Sequence, residues 1–214
     1  MKQKHILFDL DGTIVKSDLG ITKGVQKSLE HFGINEKLED LKKFVGPPMV
    51  ESYTNFYGFS LKQYEEALCV FHKYYKSVGI FECELYEGIE EMLKELSEKY
   101  KLYIATSKPE FEARRVIEHF GLDKYFTFVG GADGDFNTKR STKAAVIEYV
   151  LESNKIEDRE SVIMTGDKSH DIVGAKSAGL KSIGVLYGYG GLDEFAEANY
   201  IVKSVEDLRE MFIC

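Results

Sequence analysis

The sequence predicts an α/β protein: a doubly wound parallel sheet carrying a small helical domain inserted after its first strand. Three observations carry that prediction. Short β-rich apolar runs alternate with stretches of helical periodicity, the order that gives strand–helix–strand crossovers and a parallel sheet. The runs are continuously apolar rather than alternating, as strands covered on both faces are. Finally, about 90 residues separate the first run from the second, far more than a simple crossover needs.

In chain order the strands are HILF (5–8), LYIA (102–105), FTFV (126–129), SVIM (161–164) and SIGV (182–185). Ile89, Met92, Leu93, Leu96 and Tyr100 keep helical spacing ahead of the second strand; Val116, Ile117 and Phe120 do so ahead of the third, and Val146, Ile147, Val150 and Leu151 ahead of the fourth. Inside the insert, Ile21, Val25, Leu29 and Phe32 form one helical stripe. Leu61, Tyr64, Leu68, Phe71, Tyr75 and Val78 form a longer one. Between them Gly46, Pro47 and Pro48 end a short helix, because proline cannot continue it and disfavours helical geometry just before itself. The expected domains are residues 1–15 with 86–214 for the sheet and 16–85 for the helical insert, with hinges at 14–19 and 82–87.

Composition narrows the function. A chain of 214 residues, 43% of them hydrophobic, buries a substantial core. A net charge of −8, with no basic stripe interleaved with aromatics, argues against a nucleic-acid partner. Small anionic substrates stay compatible with it. Cys69, Cys83 and Cys214 are odd in number and far apart, which fits reduced thiols rather than disulfides or a zinc site. The apolar run at the N-terminus is too short for a signal peptide, and no segment approaches the roughly 20 apolar residues of a membrane span. The expectation is a cytoplasmic protein, monomeric or weakly dimeric, with no membrane partner.

Open parallel sheets bind ligands beyond the carboxyl ends of their strands. There the sequence offers Asp9, Asp11, Gly12 and Thr13 after the first strand, Thr106, Ser107 and Lys108 after the second, and Gly166, Asp167 and Asp171 after the fourth. Acidic groups converging on one edge repel unless a cation or a proton relieves them, and hard oxygen ligands suit Mg²⁺. Each feature alone has a plainer reading. A DxDG can be a capped turn or part of a calcium loop, Thr106 and Ser107 can cap a helix, Asp167 and Asp171 can be a turn residue and a helix-start acid, and Lys143 can face solvent. The calcium loop fails in detail: counting from Asp9, Ile14 stands where glycine is needed and Gly20 where glutamate is needed. DGDFN at 133–137 fails the same way, at Thr138 and Ala144.

Order and joint placement single out one reading. DLDGT (9–13), the Thr106 of ATSK, the Lys143 of STKAA and GDKSHD (166–171) resemble the four motifs of the haloacid dehalogenase superfamily, over nearly the whole chain, with the helical insert resembling that family's type 1 cap on a Rossmann-like core. The resemblance implies that Asp9 attacks phosphorus to give an aspartyl-phosphate and that Asp11 moves protons to the leaving alcohol and from the attacking water. It implies Thr106 and Ser107 on the phosphoryl oxygens and Lys143 as a positive charge beside phosphoryl and Asp9. Mg²⁺ would be held by Asp9, the backbone carbonyl of Asp11 and Asp167, with Asp171 behind them, and Gly12 would permit the turn. The lysine lacks the KPxP context of many relatives, so Lys139 and Arg140 stay open as alternatives. The second aspartate points away from dehalogenases and phosphonatases, and residues 14–24 lack the histidine typical of the family's sugar-phosphate mutases. KKFVGPPM (42–49), LYEGIEEML (85–93) and TSKPEFEARRVIEHFGLDKYF (106–126) resemble the phosphoglycolate phosphatase-like branch, which includes 5′-nucleotidases and broad phosphatases. Gly46 and Pro47 would line its specificity loop, with Lys42 or Lys43 as anion contacts. The expected function is a Mg²⁺-dependent phosphatase of small-molecule phosphate monoesters. A sugar-phosphate mutase and a non-catalytic phosphate-sensing interaction protein are the alternatives.

Overall fold

The chain divides into two units, Met1–Val15 with Leu85–Cys214, and Lys16–Glu84; the structure, a computed structural model, describes residues 3–134 and 139–213. The first unit opens with β1 (His5–Phe8). Through β2 (Val15–Lys16) the chain enters the second unit: α1 (Asp18–His31), a 3-10 segment Leu38–Phe44, α2 (Met49–Tyr57) and α3 (Leu61–Tyr75). It returns through β3 (Glu84–Leu85), which pairs with β2. The first unit resumes with α4 (Ile89–Ser97), β4 (Lys101–Pro109), α5 (Glu110–His119), β5 (Phe126–Ala132), α6 (Lys143–Ser153), β6 (Val162–Gly166), α7 (Ser169–Ser177), β7 (Lys181–Val185), β8 (Tyr200–Val202) and α8 (Val205–Ile213). The DGDFN stretch lies outside the described residues from position 135 on, as does Cys214.

The sheet of the first unit has six strands in the order β5-β4-β1-β6-β7-β8, and every described pairing within it is parallel. Its register sets Leu7 opposite both Tyr103 and Met164. Those three side chains join Val146, Ile147 and Val150 of α6 and Ala175 of α7 in one buried cluster. The alternate residues Ile6, Phe8, Leu102, Ile104 and Ile163 are equally buried, so both faces of the central strands are covered, the arrangement their unbroken apolar runs require. From β1 the chain builds outward through β4 and β5, then crosses to the other side of β1 for β6, β7 and β8. The carboxyl end of β1 is therefore where strand order reverses, and where such sheets open a crevice.

Three strands run past their predicted ends. β4 continues to Pro109, β5 to Ala132 and β6 to Gly166, because backbone pairing goes on where the apolar residues stop. Thr106, which the sequence reading put after a strand, lies inside β4 opposite Gly131. The short edge strand β8, with Tyr200 and Ile201 exposed, has an apolar run of only three residues, YIV, to announce it.

In the second unit α1 and α3 bury the predicted stripes except at their ends: Phe32 is half-buried just beyond α1, Leu61 is exposed and Val78 lies beyond α3. Ser60 and Gln63 form the capping box that starts α3. Tyr53 of α2 hydrogen-bonds Ser28 of α1 and stacks on Phe59 with ring centres 5.5 Å apart. Gly46, Pro47 and Pro48 do more than end a helix: the 3-10 segment stops before them, Gly46 takes a left-handed φ of 102° and Pro48 caps α2. Lys42 pairs with Asp18 at 3.2 Å, and Lys43 lies over the ring of Phe56, 4.8 Å from its centre.

Candidate active site

At the carboxyl end of β1 the chain turns sharply. Gly12 has φ 83°, a conformation open to glycine at little cost, and a Cβ there would fall 2.2 Å from Oδ2 of Asp167. The turn brings Asp9 and Asp11, two residues apart, into separate surroundings. Asp9 joins Asp167, just after β6, and Asp171, in the first turn of α7: one carboxylate oxygen of each lies within 4.8 Å of the others, and all three side chains are buried. Lys143, the first residue of α6, sits among them. Its Nζ is 2.8 Å from Oδ1 of Asp9, 2.8 Å from Oδ1 of Asp171, and donates to the Ala105 carbonyl at 3.1 Å. Thr142 caps α6 by accepting from the Ala145 N–H, which fixes where Lys143 starts. Of the alternatives, Arg140 pairs with Glu110 and lies over the Tyr149 ring, and Lys139 is exposed.

Burial and charge shift these groups. Burial, opposed by Lys143 and reinforced by Asp171, pushes Asp9 up to about 6. Burial, then Asp171 and Asp9, holds Asp167 well above the usual carboxylate range, against the pull of the Tyr189 N–H. Burial pulls Lys143 down, but Asp171 and Asp9 more than reverse it, so its ammonium is reinforced. Three carboxylates against one ammonium leave two formal negative charges, the complement of a divalent cation. Oδ2 of Asp167 accepts from Tyr189 N–H at 2.8 Å while its buried Oδ1 has no hydrogen-bond partner, an oxygen suited to a metal ligand. The residues therefore fit a hard ion such as Mg²⁺. Asp171 belongs to this cluster as closely as Asp9 does, while accepting from the Lys168 N–H at 3.0 Å.

Asp11 is held apart from the cluster by Lys108, whose Nζ lies 2.7 and 3.0 Å from its two carboxylate oxygens. Thr106 is buried beside them and its hydroxyl accepts from the Lys108 N–H at 3.2 Å; Ser107 follows, half-buried. The sequence reading gave Lys108 no role, nor did it single out Tyr189. Lys108 stands in ATSK and Tyr189 in the glycine-rich GYGG after β7 (188–191), but neither stretch encodes the contact its residue makes. Gly46 and Pro47 belong to the second unit.

A model of the haloacid dehalogenase-like hydrolases matches residues 6–185. A 5′-nucleotidase from Pseudomonas aeruginosa is 37% identical over 196 residues, 91% of this chain and 87% of its own. A tyrosine-protein kinase, PtkA, from Mycobacterium tuberculosis is 33% identical over 211 residues, 96% of this chain and 71% of its own. Among solved structures, one described as a predicted phosphatase from Clostridium acetobutylicum superposes with a TM-score of 0.92 at 42% identity, covering 98% of this chain and 97% of that one. With a family match spanning the strands and side chains that build the carboxylate cluster, the chain belongs to the haloacid dehalogenase-like hydrolases.

Proposed function

We propose that this protein is a Mg²⁺-dependent phosphatase that hydrolyses small-molecule phosphate monoesters through a phosphoryl group carried on Asp9. One observation carries the reading: two aspartates of one turn have different partners, Asp9 on Lys143 within the carboxylate cluster and Asp11 on Lys108 outside it. Paired acids in unlike environments take unlike roles. In the first step a carboxylate oxygen of Asp9 bonds to phosphorus, the ester P–O bond breaks, and Asp11 gives its proton to the departing oxygen. In the second, Asp11 takes a proton from a water whose oxygen attacks the same phosphorus, releasing phosphate and restoring Asp9. Lys143 lowers the cost of crowding negative charge beside Asp9, and the Thr106 hydroxyl and Ser107 N–H hold phosphoryl oxygens. Asp9, the Asp11 carbonyl and Asp167 would hold the metal, steadied by Asp171; bound there, Mg²⁺ supplies positive charge against the transferring group.

The 5′-nucleotidase and the branch resemblance support nucleotide or phosphoglycolate-like substrates, with Gly46 and Pro47 the candidates for substrate choice. The reading is of a cytoplasmic protein, monomeric or weakly dimeric; among the described residues no helix is long and apolar enough to cross a membrane. The kinase-named relative favours, as a second reading, transfer to an acceptor other than water. Purified protein with Mg²⁺ and a panel of metabolite phosphates decides: stoichiometric release of inorganic phosphate, lost in Asp9→Asn with an unchanged fold, supports hydrolysis. Phosphate appearing on another acceptor, or turnover surviving in Asp9→Asn, refutes it.

A further inference from the structure

Lys108 has no part in the steps above, yet the fold is built to deliver it. Thr106 pairs with Gly131 and Pro109 with Ala132, so β4 carries Ser107 and Lys108 as an irregularity that β5 does not match. Bulges of this kind re-aim side chains beside functional sites. Gly131 makes room for it, since a Cβ there would lie 2.5 Å from the Lys108 carbonyl oxygen, and the Thr106 hydroxyl closes it by accepting the Lys108 N–H. The result is an ammonium against both oxygens of Asp11, with the two side chains only 5% and 12% exposed. When Asp11 carries the proton to be delivered, one of its oxygens can stay on the Lys108 ammonium while the O–H on the other faces the leaving oxygen, so the contact restrains rotation of the carboxyl in both states.

We infer that Lys108 is a positioning residue that fixes the Asp11 carboxyl in the orientation needed for proton delivery to the leaving oxygen. The inference rests on the acid role of Asp11, and leaving-group dependence separates the two claims. 4-Nitrophenolate departs without a proton, whereas the alkoxide of glycerol phosphate does not. kcat/KM covers only steps through that departure, so later hydrolysis at Asp9 does not enter. A partly misfolded preparation lowers kcat/KM on both substrates equally, which leaves their ratio unaffected.

Lys108→Met should lower the ratio of kcat/KM on glycerol phosphate to that on 4-nitrophenyl phosphate at least threefold, and Lys108→Arg, which keeps the pair, by less than Lys108→Met. A change under threefold in Lys108→Met, including loss of both activities in a protein with a native melting curve, overturns the inference. So does an equal fall in Lys108→Arg. Asp11→Asn is the control: if it also leaves the ratio unchanged, the acid role itself has failed, whereas a lowered ratio in Asp11→Asn alone isolates the failure to Lys108.

Discussion

Replacing Lys143 by methionine removes the one ammonium between Asp9 and Asp171 while keeping most of its apolar stem, which packs against Gly174. Stranding buried carboxylates in this way costs about 3–5 kcal/mol. The cost has a ceiling, because a stranded carboxylate can enter the fold protonated. At about 1.4 kcal/mol per pH unit above an ordinary value near 3.9, that escape costs roughly 4 kcal/mol per group at pH 7 and roughly 1.5 kcal/mol at pH 5. The sign follows from Asp9, whose folded value of about 6 lies above its unfolded one. Such a group opposes folding fully above the folded value, and the opposition disappears as pH falls through that window towards 4. Urea unfolding in EDTA should therefore show Lys143→Met destabilised by about 3–5 kcal/mol at pH 7 and by about 2 kcal/mol or less at pH 5. A deficit that is small at pH 7, or the same at both pH values, would refute the claim that Lys143 holds this cluster together.

Two further outcomes follow from the same geometry. Because Asp9 and Asp167 hold protons above the usual carboxylate range, protons compete with the metal there; Mg²⁺ should raise the melting temperature more at pH 7.5 than at pH 5, and not at all in Asp167→Asn, with equal shifts at both pH values counting against the site. Gly12→Ala puts a Cβ where φ is 83° and Asp167 lies 2.2 Å away. It should cost about 1–3 kcal/mol of stability and abolish the Mg²⁺-dependent shift in a thermal melt, so a native melt with a native Mg²⁺ response would show that the turn tolerates displacement.

Much of this was legible before the structure. HILF, LYIA, FTFV, SVIM and SIGV all fall on or across strands of the sheet, because burial on both faces leaves an unbroken apolar run. Asp9, Lys143, Asp167 and Asp171 were nameable from motif order, and the structure brings them together. The pairing of Asp11 with Lys108 was not legible. It depends on a bulge set by Gly131, 23 residues further along the chain, and no local pattern encodes a register break between two strands. The Tyr189 N–H on Asp167 was hidden for a related reason: a backbone donor leaves no residue-type signature, and only the path of the loop after β7 brings it there.

The central claim is that Asp9 carries the phosphoryl group, and trapping tests it most directly. Protein turning over a phosphate ester with Mg²⁺, quenched in acid and reduced with borohydride, should yield homoserine at position 9, as an aspartyl-phosphate there requires, and none in the absence of substrate. Homoserine at Asp11, Asp167 or Asp171 instead, or at no residue during measured turnover, would contradict the account.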